Sequence, residues 1–218
     1  MRMQSIITMS TFNYQNTLKP KTMRRTFFSF HFQPDNQRAE VIQQSWLTKE
    51  DRQAAGFFDS SAFETKRRTS EDALKDFLTE QLKGTTVTCV LVGSQTAFRP
   101  WVRYELVRSF HGGNGLLAVR VHNIRDFDRQ LAAAGPNPFD HLAYRLVKDR
   151  VYWQEFSNGA WTNYDKVPSM LLTDVPYDLN WQLHNTFACR FPIYDWVNDY
   201  GYQNLGTWIE NAAKQAGK

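Results

Sequence analysis

The first half of the chain alternates between short apolar runs and stretches in which apolar residues recur with a helical period. Strands are predicted for four apolar runs: RTFFSFHF at 25–32, GFFD at 56–59, VTCVLV at 87–92 and GLLAVRV at 115–121. Helices are predicted at 37–46 and at 70–82, where Ser70 supplies a cap and two acidic residues follow it. Because strands and helices alternate, the sequence predicts a parallel α/β sheet with right-handed crossovers.

The third predicted strand leads into a polar loop and then into a helix with one acidic residue, Glu105. Pro100 suits the first turn of that helix, because the first N–H groups of a helix have no intrahelical partner. Trp101 and Glu105 then lie one turn apart on the same face. We expect Glu105 to project into the cleft beyond the strand ends, where open α/β sheets bind ligands. Spacing alone favours a second interpretation, an exposed acid paired with Arg103 or Arg108.

The carboxyl ends of parallel strands share one edge of a sheet, so the polar residues that follow the predicted strands are expected to lie together. These residues are His31, Asp59, Ser94 and His122. The segment at 60–69 is predicted to be a charged loop that contains the basic run 66–68.

The alternation of strands and helices ends at about residue 123. Two segments, 151–156 and 161–164, flank Asn158-Gly159, the dipeptide that two-residue hairpin turns favour. The segment at 194–218 predicts a loop followed by a terminal helix, because apolar residues recur there at helical spacing.

The domain organisation follows from composition along the chain. With 218 residues and 42% hydrophobic content, the protein is long enough to bury a substantial core. Residues 1–22 are polar and aperiodic, which predicts a disordered N-terminal tail. No linker rich in Gly, Ser or charge divides the remainder. We therefore expect a core at 23–122 and a C-terminal extension at 123–218 to pack as a single structural unit.

The net charge of +4 does not indicate a nucleic-acid partner. Residues 1–22 contain Arg2, Lys19 and Lys21 and no acidic residue, so they contribute +3 and the rest of the chain contributes +1. Nucleic-acid binding proteins usually carry a basic patch, and the only basic run in the chain is at 66–68. A nucleic-acid partner is therefore not expected.

The cysteines and the hydropathy pattern give no sign of a metal, a disulfide or a membrane. Cys89 lies within an apolar strand, and Cys189 has no CxxC or CxxH companion, so neither a zinc site nor a disulfide framework is predicted. No apolar run approaches the roughly 18 residues that a membrane-spanning helix needs. We expect a reduced, cytoplasmic protein.

The ordered landmarks carry a family resemblance. RTFFSFHF, GFFD and VLVGSQTAFRPWVRYEL resemble the strand and helix landmarks of TIR domains, which include the tryptophan and glutamate matched here by Trp101 and Glu105. A narrower resemblance is to the TIR-like family that includes the ThsB component of Thoeris anti-phage defence. It rests on SFHF, AAGFFD, VTCVLVGS, WVRYEL, GNGLLAV, PNPFD and DWVNDYGYQNLGTWIENAA. The similarity covers the chain from about residue 24 to its end. It implies a flavodoxin-like, TIR-like sheet with helices on both faces and an extension containing a β-hairpin and a terminal helix.

The resemblance implies an enzyme that uses NAD as its substrate, with no separate cofactor and no metal. It would cleave the nicotinamide–ribose bond and make a cyclic ADP-ribose-type signal for a downstream effector, and a homo-oligomer is compatible with it. Nicotinamide leaves as a neutral molecule, so no general acid is needed. An ionised Glu105 would stabilise the electron-poor ribosyl cation. A strongly raised pKa at Glu105 would count against this role.

The resemblance also predicts substrate-binding residues. They are Phe30, His31, Arg38, Asp59, Ser94, Gln95 and Trp101. Phe30 and His31 would lie beside the nicotinamide, and Arg38 would reach a phosphate. Structural alternatives stay open, because His31 can end a strand, Asp59 can begin a turn and the polar pair at 94–95 can satisfy the strand-to-helix turn. The chain departs from the TIR pattern in having His31 where many members have arginine, and in its long C-terminal block.

Three other functions fit parts of the pattern. A non-enzymatic signalling module would act by protein contacts through Lys66, Arg67 and Arg68. A receiver-like phosphorelay domain would use Asp59, but it needs an acidic pair after the first strand and a later lysine, and the sequence has neither there. A nuclease lacks the clustered carboxylates that hold its metal ions.

Overall fold

The computed structural model describes residues 24–48, 52–56, 60–177 and 185–218. The predicted tail at 1–22 lies outside these residues. The strands are β1 (Arg24–Phe30), β2 (Arg52–Ala55), β3 (Val87–Val92), β4 (Gly115–Arg120), β5 (Leu142–Val147), β6 (Arg150–Ser157), β7 (Ala160–Asn163), β8 (Met170–Leu171), β9 (Asn185–Thr186) and β10 (Ile193–Asp195). The helices are α1 (Phe32–Leu47), α2 (Ser60–Thr69), α3 (Glu71–Leu82), α4 (Pro100–His111) and α5 (Gly201–Gln215).

The central sheet has the strand order β2-β1-β3-β4-β10, and all of its pairs are parallel. This is the doubly wound order of flavodoxin-like folds. Helices α1 and α5 pack on one face of the sheet, and α3 and α4 pack on the other. Every residue of β3 is buried, as expected for a central strand that is covered on both faces. The predicted α/β fold with helices on both faces is confirmed.

A second sheet, antiparallel in the order β7-β6-β5-β9, packs against α4. Phe110 of α4 lies at the centre of this contact, with ring centroids 5.1 Å from Trp153 and 5.3 Å from Phe187. The predicted hairpin is confirmed, because Asn158 and Gly159 join β6 to β7 with φ of 52° and 80°. The C-terminal half therefore buries one face of the helix that carries Glu105.

Two predictions between β1 and α3 need correction. The second strand was expected at 56–59, but β2 occupies Arg52–Ala55 and Gly56 follows it with φ of +87°, while 57–59 lie outside the described residues. The expected charged loop at 60–69 is helix α2. Its basic residues lie in the last turn, where cations oppose the negative end of the helix dipole, and Phe63 packs against the core.

The C-terminal segment contributes both a strand and a helix to the core α/β layers. Strand β10 pairs with β4 and extends the parallel sheet, and α5 covers the same face as α1. The terminal helix was predicted, but the three-residue strand was not, because so short a segment has no readable period. The division at residue 122 therefore cuts through the sheet and does not separate it from an appended unit.

We predict that Gly115→Ala destabilises the protein by about 1–3 kcal/mol, as overpacked cores do. The reason is that α5 crosses β4 at Gly115, where an added Cβ would overlap the backbone carbonyl of Ala212. Chemical denaturation measures the free energy of unfolding. Gly112→Ala is the matched control, because its backbone is right-handed helical and its Cβ would lie 3.4 Å from the nearest atom, the carbonyl oxygen of Arg108. Equal stability of the two variants would contradict this account of the contact.

Candidate active site

A cavity of about 500 Å³ opens at the carboxyl edge of the parallel sheet, between the end of β1, helix α2 and the start of α4. Its size falls in the range of small-molecule sites. The residues that matter most for its chemistry are Phe30, His31, Arg68, Arg99, Trp101 and Glu105. Four of the predicted site residues therefore meet in one cavity, because the carboxyl ends of the strands and the N-terminus of α4 share this edge.

Glu105 lies on the cavity wall with only 5% of its surface exposed. The Oγ of Ser29, in β1, donates a hydrogen bond of 2.5 Å to Oε2 of Glu105. The alternative of an exposed helix acid is wrong, since Arg103 pairs with Glu155 and Arg108 contacts His111. Glu105 is thus a buried residue of α4 that also lines the cavity.

Burial raises the pKa of Glu105 to about 8, and the hydrogen bond from Ser29 opposes that rise. Desolvation has this effect because it penalises the charged form of an acid. At neutral pH the protonated form of Glu105 is therefore favoured. The sequence-based expectation of a carboxylate that is already ionised is therefore not met in this state.

Trp101 forms another part of the cavity wall, one turn before Glu105. Its ring packs edge-to-face on Tyr104, with centroids 5.8 Å apart. The ammonium group of Lys166 lies 5.3 Å from the Trp101 ring centre and also contacts Glu71 at 3.1 Å. The C-terminal half therefore supports this wall from the side opposite the sheet.

Phe30 and His31 line the cavity where β1 ends and α1 begins. Burial lowers the pKa of His31, and the nearby charge of Arg99 lowers it further. The neutral imidazole is consequently favoured near pH 7, so His31 can donate one hydrogen bond and accept another without bringing a positive charge.

Arg38 does not line the cavity. It is 5% exposed, and its Nε donates to the carbonyl oxygen of Ile124 at 2.9 Å. One terminal nitrogen donates to Oδ2 of Asp126 at 3.1 Å and to the carbonyl oxygen of Gln130 at 3.0 Å. The structure thus places Arg38 as a tether between α1 and the loop after β4, away from the position from which it was expected to reach a phosphate.

The other three predicted substrate-binding residues, Ser94, Gln95 and Asp59, are not among the described residues that line the cavity. Ser94 and Gln95 form the turn after β3 and are not among the cavity-lining residues, although the side-chain oxygen of Gln95 accepts a hydrogen bond from Arg99. Asp59 lies outside the described residues. The substrate roles of these three residues stay predictions.

Sequence reasoning missed Ser29, Arg99 and Asp35. Ser29 interrupts an aromatic strand, which was a signal that one sheet face needs a polar group there. Asp35 is completely buried, and burial raises its pKa to about 6. Its carboxylate fills the space where a side chain at Gly93 would stand, so only glycine fits at the start of the β3–α4 loop. Arg99 ends that loop at the cavity.

No group of three or more His, Cys, Asp or Glu residues within 24–48, 52–56, 60–177 and 185–218 is placed to hold a metal ion. No helix in that same part of the chain is long and apolar enough to cross a membrane.

Comparison with known proteins supports the fold described above. A family profile described as the TIR-like domain of Thoeris protein ThsB matches residues 27–126. A curated relative, ThsB1 of Bacillus cereus (strain MSX-D12), is 37% identical over 190 residues, which cover 85% of this chain and 98% of the relative. Its name describes it as a cyclic ADP-D-ribose synthase. Similarity over nearly the whole of both chains shows that this protein belongs to the Thoeris ThsB family of TIR-like proteins.

Proposed function

We propose that this protein cleaves the nicotinamide–ribose bond of NAD and makes a cyclic ADP-ribose-type signal in anti-phage defence, with Glu105 as the catalytic residue. The observation that carries the proposal is the buried carboxyl group of Glu105 on the wall of a ligand-sized cavity, one turn after Trp101. The name of the relative ThsB1 supports the same reaction class. NAD is the substrate in this proposal, and no separate cofactor takes part.

The reaction needs a negative charge more than it needs a proton donor. The bond between the anomeric carbon and the pyridinium nitrogen breaks, and its electron pair leaves with the nitrogen, so nicotinamide departs as a neutral molecule. The ribosyl group is left electron-poor and positively charged. A fixed carboxylate at Glu105 stabilises that charge more in the transition state than in the ground state, which lowers the barrier.

The substrate itself supplies the means to ionise Glu105. The nicotinamide ring of NAD is positively charged, and an opposite charge within about 4–6 Å lowers the pKa of an acid by roughly 1–3 units. Binding of NAD next to Glu105 is therefore expected to release the proton that burial retains in the ligand-free protein. Trp101, Phe30 and the uncharged imidazole of His31 would enclose the ring without competing for the carboxylate.

Formation of a cyclic product then depends on which nucleophile reaches the anomeric carbon. Attack by water gives ADP-ribose, whereas attack by a nucleophilic atom of the same molecule closes a ring. Cyclisation is favoured when the cavity excludes water and holds the adenosine end of the molecule close to the ribosyl cation. A cytoplasmic effector that senses the cyclic product, and assembly of the protein into a homo-oligomer, are further parts of this proposal.

A second candidate is a non-enzymatic module that signals by assembly. It is favoured by the exposed basic end of α2, formed by Lys66, Arg67 and Arg68. This candidate requires that substitutions in that basic end abolish phage defence while Glu105→Gln leaves it intact. The enzymatic proposal requires that Glu105→Gln abolish defence.

We predict that Glu105→Gln lowers the rate of nicotinamide release by about a hundredfold or more, the usual effect of removing one strong electrostatic contact in a transition state. Glutamine has the shape of the protonated acid, so the fold and the contact with Ser29 are retained. Mass spectrometry of the nucleotide products after incubation of concentrated protein with NAD measures the effect. The expected wild-type products are nicotinamide and a cyclic ADP-ribose isomer.

The control for this variant is Glu80→Gln, because Glu80 is exposed on α3 and pairs only with neighbouring Lys83 among the described residues. Wild-type turnover is expected from it. Undiminished turnover by Glu105→Gln would refute the assignment of the catalytic residue. Absence of turnover from folded wild-type protein, in buffer and in extracts of infected cells, would favour the assembly module.

We predict that kcat/KM for NAD rises with pH through the pKa of Glu105, about 8, because this parameter reports ionisations of the free enzyme. The value of kcat/KM rises because the active form is the ionised carboxylate. In the pH profile of kcat the same rising limb lies at lower pH, since bound NAD favours the ionised form. A kcat/KM that falls with pH across this range would contradict the role of an ionised Glu105.

We further predict that Ser29→Ala moves the limb to higher pH and lowers kcat/KM at pH 7. The reason is that the hydroxyl of Ser29 hydrogen-bonds the carboxylate and lowers its pKa. Ser109→Ala is the matched control, because Ser109 is equally buried on the sheet-facing side of α4 but hydrogen-bonds Thr88. An unchanged limb in Ser29→Ala would show that this hydrogen bond does not tune Glu105.

A further inference from the structure

The cavity has an uneven distribution of charge. Its one lining carboxyl group among the described residues is that of Glu105, whereas three arginines, Arg67, Arg68 and Arg99, also line it. Arg67 and Arg68 come from the last turn of α2, and Arg99 comes from the end of the β3–α4 loop. Two elements therefore bring cationic side chains to a cavity that is otherwise aromatic around Glu105.

The guanidinium of Arg99 has few hydrogen-bond partners among the described residues. One terminal nitrogen donates to the neutral side chain of Gln95. Its Nε is buried and has no hydrogen-bond partner in the described part of the chain. Buried donors are nearly always paired, so an unpaired guanidinium nitrogen at a cavity is a donor available to acceptor atoms of a ligand or to water. The fork of donors on arginine suits phosphate oxygens in particular.

Two neighbouring features bear on what Arg99 can bind. Arg99 is the N-cap of α4, so the unpaired N–H groups of the first turn add positive potential at the same place. Asp35 is fully buried and interacts electrostatically with Arg99, but it interacts more strongly with Arg38 and accepts a hydrogen bond from the hydroxyl of Thr96. Within the described residues, Asp35 and Arg99 do not form an ion pair, so the carboxylate does not occupy the donors of Arg99.

Arg99 and Glu105 lie six positions apart at the start of α4, which corresponds to a rise of about 9 Å along the helix at about 1.5 Å per residue. A ribose whose anomeric carbon faces Glu105 can be oriented with its 5′-phosphate toward the start of the helix. The length of the arginine side chain then allows the guanidinium of Arg99 to reach the phosphates.

We propose that Arg99 binds the diphosphate of the dinucleotide, with Arg68 contacting it from α2, and so positions the anomeric carbon against Glu105. The inference rests on the proposed function for the identity of the substrate. Arg99 and Arg68 are binding and positioning residues in this account, and Arg38, which the sequence had suggested for the phosphate, has no part in it.

The test measures binding of ADP-ribose, which keeps the diphosphate but has no nicotinamide bond to cleave, by isothermal titration calorimetry in the full-length Glu105→Gln protein. Adding Arg99→Gln is expected to raise the Kd for ADP-ribose about tenfold to a hundredfold, the usual effect of one hydrogen bond to a charged group. It should also weaken the dependence of Kd on salt concentration. Arg99→Lys keeps the charge and should restore part of the affinity.

Two further variants control the test. Arg125→Gln removes an exposed arginine that contacts the carbonyl oxygen of Arg129, and it should leave the Kd unchanged. Arg68→Gln should weaken binding by a smaller factor than Arg99→Gln, and it replaces Arg99→Gln as the decisive variant if the latter fails to fold. Thermal unfolding of each variant verifies the fold.

Any of three results would overturn the proposal: no binding of ADP-ribose to the Glu105→Gln protein, equal affinity with and without Arg99, or equal losses in Arg99→Gln and Arg99→Lys with unchanged salt dependence. The last result would assign Arg99 to shaping the cavity. Failure of the proposed function is a separate observation, since wild-type protein would then bind ADP-ribose through Arg99 but release no nicotinamide from NAD.

Discussion

The chemistry of the cavity depends on one contact, the hydrogen bond from Ser29 of β1 to the buried carboxyl group of Glu105 on α4. It links α4 to β1 and holds the acid at the carboxyl edge of the sheet, where parallel sheets present ligand sites. Burial keeps this acid mostly protonated at neutral pH, with a pKa of about 8. A protonated Glu105 is compatible with a folded core, and a positively charged substrate would convert it into the ionised form that the proposed mechanism requires.

The C-terminal half of the chain keeps α4 in position. Strand β10 is the last strand of the parallel sheet, and helix α5 covers one of its faces. The antiparallel sheet packs its aromatic residues around Phe110 of α4. Arg103 of α4 forms a 2.7 Å ion pair with Glu155 of β6, while Lys166 lies over the ring of Trp101. The part of the cavity wall that α4 contributes, with Trp101 and Glu105, is therefore supported by residues outside the parallel sheet. The long C-terminal block thus has a structural role at the site.

Local pattern predicted what depends on local sequence. The apolar run of β3, the Ser70 cap of α3 and the Asn158-Gly159 turn were all read correctly, because each is determined by a few neighbouring residues. Pro100 likewise marked the start of α4.

Features that depend on distant partners were not predictable from the sequence. The spacing of Glu105 gave its helix face but not its burial against Ser29, and Arg38 carried no sign of its tether to the loop after β4. Strand β10 exists because β4 offers it an edge, and three residues cannot signal that by themselves.

The most direct test of this account is the protonation state of Glu105 itself, measured by isotope-edited infrared difference spectroscopy with and without a hydrolysis-resistant NAD analogue that keeps the pyridinium charge. Glu105→Gln identifies the band. The account predicts a protonated carboxyl band at pH 7 that titrates near pH 8 in the free protein and disappears when the analogue binds. A band that persists unchanged with the analogue bound would contradict the claim that substrate charge ionises Glu105 for catalysis.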